Sequence, residues 1–176
     1  MDVFTRTFLP AAAEAAVGIP TVSRHMPVLR RCVEPGDTTV LVTRCTRPER
    51  AGQAPGYLML LTERRLVVTS ETRLTRRLRL HLNAELRHLD HVTWNPDPRL
   101  GIVEFAATAV DGIRERFQIR TSRPAQVWRL DALLSHAFRV PATIPPVRYA
   151  PGTPITAPGS TITADGRLLP LGTALA

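Results

Sequence analysis

A chain of 176 residues, 44% of them apolar, can bury one core of ordinary size or two very small ones. Only 5% of the residues are aromatic, so aliphatic side chains must fill that core and a stacking platform for single-stranded nucleic acid is poorly supplied. The formal net charge is +8, and all 23 basic residues are arginine, as an arginine-biased genome would give. Between residues 72 and 123, ten arginines face six carboxylates, an excess of four that marks this stretch as the basic part of the chain. Cys32 and Cys45 are too few for a disulfide framework and read as reduced thiols. The apolar run at residues 8–19 is interrupted by Glu14 and lacks a positive leader, and no stretch is long enough to span a bilayer. Cytoplasmic residence, with peripheral attachment to the inner membrane face as a variant, is the resulting expectation.

Residues 1–37 precede the strand pattern and read as a short-helix leader. Ala11, Ala12, Ala13, Glu14, Ala15 and Ala16 favour a helix that Gly18 and Pro20 are expected to stop, and residues 26–33 can add another turn or two. Pro35, Gly36 and Asp37 make a turn. From Thr38 the period becomes two. A first strand runs to about Cys45, residues 47–56 form a Pro- and Gly-containing loop, and residues 57–61 and 65–69 form a hairpin pair. In the fourth strand Leu74, Leu78, Leu80 and Leu82 alternate with Arg73, Thr75, Arg77, Arg79 and His81, which predicts a leucine face turned inward and an arginine face turned to solvent.

A fifth strand passes through Leu89, His91, Val92 and Trp94 and is expected to end at the prolines Pro96 and Pro98. The sixth, about residues 100–109, has Val103, Phe105 and Ala107 inward. Asp111 and Gly112 supply a tight turn. The seventh strand places Ile113, Phe117 and Ile119 inward, with Glu115 exceptional among them, and Arg114, Arg116, Gln118 and Arg120 outward. A terminal helix follows, started by Ser122 and Pro124, with Val127, Leu130, Leu134 and Ala137 on its apolar face. Trp128 is expected to anchor that helix in the core. Beyond it, residues 139–176 form a proline-rich arm, with six prolines from Pro141 to Pro158 and the makings of a small hairpin about Asp165 and Gly166.

Seven strands and one amphipathic helix within residues 38–138 resemble the pleckstrin homology superfold, including its bacterial and GRAM-type relatives. The local match is carried by Gly56 with the apolar strand after it, by Leu61-Thr62-Glu63-Arg64-Arg65-Leu66 at the turn, by residues 82–92 and by Val127-Trp128-Arg129-Leu130. The resemblance implies a mainly β fold: a seven-stranded antiparallel barrel or curved sandwich capped by a C-terminal helix. In phosphoinositide-binding relatives, basic side chains near the end of the first strand and within the second gather phosphates. Arg44, Arg47 and Arg50 would occupy the first part of such an open end here, but residues 57–61 carry no basic side chain, so that specificity is not expected.

Arg73, Arg77, Arg79 and His81 form one candidate anionic-surface contact, and Arg114, Arg116 and Arg120 another. A solvated sheet face balanced by carboxylates accounts for either row as well. His88 and His91 lack cysteine partners at zinc-binding spacing, so no metal site is expected. No nucleophile, base or phosphate-cradling loop is flanked by a recognisable motif, so neither catalysis nor a cofactor is expected. The reading that remains is a non-catalytic binding or adaptor module for protein or peptide, at a sheet edge or along the terminal helix. Its alternative is peripheral binding to anionic lipid through the arginine faces. Nucleic acid is disfavoured because no recognition signature accompanies the charge, and self-association through the proline-rich arm is a further expectation.

Overall fold

The computed structural model describes residues 2–48, 56–72 and 76–138. Expectations concerning Arg50, Arg73, Leu74, Thr75 and the arm after Phe138 lie outside these residues.

Two helices come first. Helix α1, Val3–Glu14, is capped by Asp2, whose carboxylate accepts the Thr5 N–H at 2.7 Å. It ends with Ala16 at a φ of 51°, the Ala16 N–H donating to the Ala13 carbonyl and the Val17 N–H to the Ala12 carbonyl. Ala12 and Val17 are both buried, which supplies the apolar contact that usually accompanies this kind of helix stop. Helix α2, Ile19–Cys32, starts from Gly18 with Pro20 in its first turn. Both helices exceed the expected lengths: α1 begins already after its Asp2 cap, and α2 begins early because Pro20 sits in its first turn, where the missing N–H costs nothing.

Seven strands then form one antiparallel sheet: β1 Thr39–Thr46, β2 Tyr57–Thr62, β3 Arg65–Glu71, β4 Leu78–Glu85, β5 Asp90–Asp97, β6 Ile102–Thr108 and β7 Arg114–Arg120. Their order is β4-β3-β2-β1-β7-β6-β5. Helix α3, Pro124–Ala137, follows. The antiparallel strands and the terminal helix agree with expectation. The barrel does not: β4 and β5 are the two edges and share no ladder, so the sheet stays open. Its inner core is completed by Leu89, between β4 and β5, and by Val127, Leu130 and Leu134 of α3.

The sheet buries both faces of its β1–β3 half. Leu41, Tyr57, Met59, Leu61, Leu66 and Val68 belong to the inner core with Val103, Phe105, Phe117 and Ile119. On the opposite face Val42, Leu58, Leu60 and Val67 form a second core with Phe4, Phe8 and Leu29 of the leading helices. Every residue of β2 is therefore buried, which explains why that strand is a continuous apolar run instead of an alternating one. The turn into β3 is tied by the Thr62 hydroxyl, which donates to Asp37 at 2.7 Å and accepts the N–H groups of Arg64 and Arg65.

Four side chains sit otherwise than the sequence predicts. In β4 the ladder pairs Val68 with Leu82 and then Thr69 with Leu80, so His81 is an extra bulged residue. The bulge reverses the faces: Leu80 is 48% exposed, while the His81 ring packs edge-on against Tyr57 and bonds Ser70 at 2.7 Å. Ile113, at the end of the β6–β7 turn, is exposed and belongs to neither core. Trp128 is 57% exposed, and the tryptophan that anchors α3 is Trp94, half-buried, with its indole N–H donated to Asp131. Strand β5 continues through Pro96 because an edge strand does not need that missing N–H for a second ladder.

Candidate functional site

The widest departure from regular pairing lies between β1 and β7. These strands are joined only at Cys45 with Ile119 and at Thr46 with Gln118. Beyond Ile119, β7 stays on its ladder with β6: after Ile102 and Arg120 the next pair is Gly101 and Thr121, whose N–H donates to the Gly101 carbonyl at 2.8 Å and whose hydroxyl bonds the same oxygen at 3.2 Å. Gly101 makes this approach with a φ of 65°, and a Cβ there would lie 2.8 Å from the Thr121 carbonyl oxygen. Pro124 then begins α3. The end of β7 is thus held to the β5–β6 turn, and among the described residues β1 from Leu41 to Arg44 has a sheet neighbour on the β2 side alone.

The gap is a groove of about 350 Å³. Its floor is β1 at Val40–Thr43, α1 contributes Ala11 and Ala15 to one wall, and α3 contributes Leu130 and Leu133 to the other. Glu14 on α1 and Arg129 on α3 form a two-pronged ion pair between the walls, one prong at 2.7 Å. Both partners are more than half exposed, so the pair adds little stability and mainly fixes where two charges stand. Arg120, at the β7 end of the groove, donates to the neutral side chain of Gln118 at 3.2 Å. Sequence patterning pointed to a sheet edge or the terminal helix but not to this place, because the short β1–β7 pairing is a tertiary feature and Glu14 reads from the sequence only as a helix residue that interrupts an apolar run.

The arginines singled out by sequence are dispersed. Arg77 and Arg79 lie at or near β4, whereas Arg114, Arg116 and Arg120 lie on β7, with β3, β2 and β1 between them in the sheet. Arg114 is committed to the His91 carbonyl and to the hydroxyls of Thr93 and Thr108. Arg47 pairs with Glu115 and lies over the rings of Tyr57 and Phe117, which accounts for the carboxylate in an inward position of β7. Arg44 faces a separate hollow beside α2, shared with Arg76.

The titratable groups follow their surroundings. His25, on the buried face of α2, has Nδ1 2.7 Å from the Thr69 hydroxyl, and burial lowers its pKa below 6.5, with Glu71 opposing and Arg24 adding to that shift. Burial pushes the Cys45 thiol far up, opposed weakly by Arg47, and raises Cys32 as well, so neither is an activated nucleophile. Among the described residues no group of three or more His, Cys, Asp or Glu side chains is placed to hold a metal ion, and no helix is long and apolar enough to cross a membrane.

No protein-family model matches this sequence, and no curated protein matches it either. Among solved structures, the chain is similar to one in the crystal structure of the PDZ-RhoGEF DH/PH domains in complex with GTP-gamma-S activated RhoA, at 12% identity and a TM-score of 0.45. The match covers 72% of this chain and 35% of that one. A likeness of that size carries no functional meaning for this protein, whose chemistry has to be read from its own groove and charges.

Proposed function

We propose that this chain is a pleckstrin-homology-like, non-catalytic binding module that associates with a protein or peptide segment in the groove between α1, β1 and α3. The observation that carries the reading is the half-paired stretch of β1, Leu41 to Arg44, bordered by apolar side chains of two helices. Backbone groups that lack a ladder neighbour and apolar walls beside them are what a polypeptide recognises.

Affinity capture with the full chain tests this, with Ala15→Arg and Gln126→Trp obstructing the groove from opposite walls. A partner retained at moderate salt by the native chain and lost by both variants supports the reading; a partner retained by both variants overturns it.

A second reading is favoured by a different observation. Arg44, Arg76, Arg77 and Arg79 carry no ion pair among the described residues. Unbalanced positive charge of this kind suits an anionic lipid surface. Sedimentation with phosphatidylserine vesicles, steeply weakened by salt and by Arg77→Glu with Arg79→Glu, would place function there instead.

A further inference from the structure

We infer that the occupant of the groove is an extended acidic peptide that adds a strand to β1 along Leu41–Arg44. This rests on the binding reading above and names the partner's conformation and charge.

The conformation follows from main-chain hydrogen bonding. In β1 the ladder to β2 is continuous from Leu41 to Cys45, so alternate N–H and C=O groups of the same residues point to the other side. There β7 supplies pairing only at Cys45 and Thr46. An incoming helix has its own backbone groups already bonded and would leave the β1 edge unmatched, whereas an extended segment pairs with it directly. Four strand residues span roughly 13 Å. The walls then receive the side chains: those on one face of the added strand meet Leu130 and Leu133, and those on the other meet Ala11 and Ala15.

The two outer edges of the sheet are less suited. Strand β4 is bulged at His81, and β5 carries Pro96, a register shift between Asp90 and Thr93, and His91 at a φ of 50°. Bulges and prolines are the usual means by which an edge resists further pairing. Between Leu41 and Arg44 the register is unbroken and contains no proline.

The charge of the peptide follows from the rim. Glu14, the carboxylate that borders the groove, is already matched by Arg129. Among the described residues Arg120 has only the neutral Gln118 side chain as a side-chain partner, and the neighbouring Arg123, which precedes α3, is exposed. A carboxylate on the incoming strand near the β7 end would therefore meet uncompensated guanidinium.

Phage-displayed random dodecapeptides, panned against the full chain and depleted on the Ala15→Arg chain, supply the probe. Enriched sequences are expected to alternate apolar residues and to carry Asp or Glu at one end. Their synthetic forms should lose about tenfold or more in affinity when alternate backbone amides are N-methylated. Arg120→Glu should produce a similar loss, recovered when the peptide's acidic residue is replaced by arginine. Enriched peptides that tolerate N-methylation would overturn strand addition while leaving groove binding intact. Peptides that ignore Arg120→Glu would overturn the acidic assignment. No enrichment, or equal binding to the Ala15→Arg chain, would overturn the strand inference together with the reading beneath it. A concentration-dependent dimer in sedimentation, abolished by Ala15→Arg, would make a second copy the occupant and overturn the acidic-peptide inference.

Discussion

The indole N–H of Trp94 donates to the carboxylate of Asp131 at 2.8 Å, tying the edge strand β5 to the helix that closes the inner core. Phe138 stands between these elements in the same way, its ring 6.2 Å from that of Trp94 and 5.8 Å from that of Phe105. Asp131→Ala should cost about 1–2 kcal/mol in urea denaturation, since it removes a charge-assisted bond and leaves the indole donor unmatched. Trp128→Ala, at a position 57% exposed, should cost clearly less. Equal losses at the two positions would mean that Trp128 does anchor the helix.

Ala16 holds a left-handed backbone conformation at the end of α1. Glycine adopts that conformation without a Cβ penalty, so Ala16→Gly should raise stability by roughly 0.5–1 kcal/mol. A thermal melt reads the change directly, and a fall in melting temperature would show that the Ala16 methyl group contributes packing that outweighs the strain.

The pH dependence of His25 has a definite sign. Its folded pKa is depressed, first by burial, so the neutral ring belongs to the native state and the unfolded chain takes up the proton more readily. This contribution to stability is present above the ordinary value of 6.5 and is lost as pH falls from there through the lowered folded value. Asp2, held low first by Thr5, and Glu85, held low first by its bond from Arg87, lose their contributions only in more acidic solution. Urea midpoints at about pH 8 and about pH 5 should therefore differ more for the native chain than for His25→Gln. Identical differences would remove His25 as the cause.

Gly101→Ala should destabilise the fold by about 1–3 kcal/mol, because a methyl group would have to share space with the Thr121 carbonyl oxygen in a backbone conformation that disfavours side chains. The same substitution should loosen the end of β7 from the β5–β6 turn. Faster amide exchange at Thr121 is the local readout, and unchanged exchange there would contradict the role given to this contact.

Much of this architecture was legible in the sequence because period-two patterning reports directly on burial. Val103, Phe105 and Ala107 in β6, and Phe117 and Ile119 in β7, read as inward and are buried. Patterning failed where one residue changes the parity: a single bulge at His81 turned Leu80 out and drew the histidine ring toward Tyr57. It also undervalued the leader, whose Phe4, Phe8 and Leu29 make sense only against the second face of β2. The groove was illegible for a related reason. It depends on the β1–β7 pairing stopping at Cys45 and Ile119 and on where α1 and α3 flank β1, tertiary arrangements that no local spacing records.

Amide chemical-shift mapping on the isotope-labelled full chain, titrated with one of the selected peptides, tests the central claim most directly. The account predicts that the largest shifts fall on Leu41–Arg44 of β1 and on Leu130 and Leu133 of α3, with smaller ones at Ala11 and Ala15. Shifts centred instead on Arg77 and Arg79, or on the outer edges β4 and β5, would contradict it.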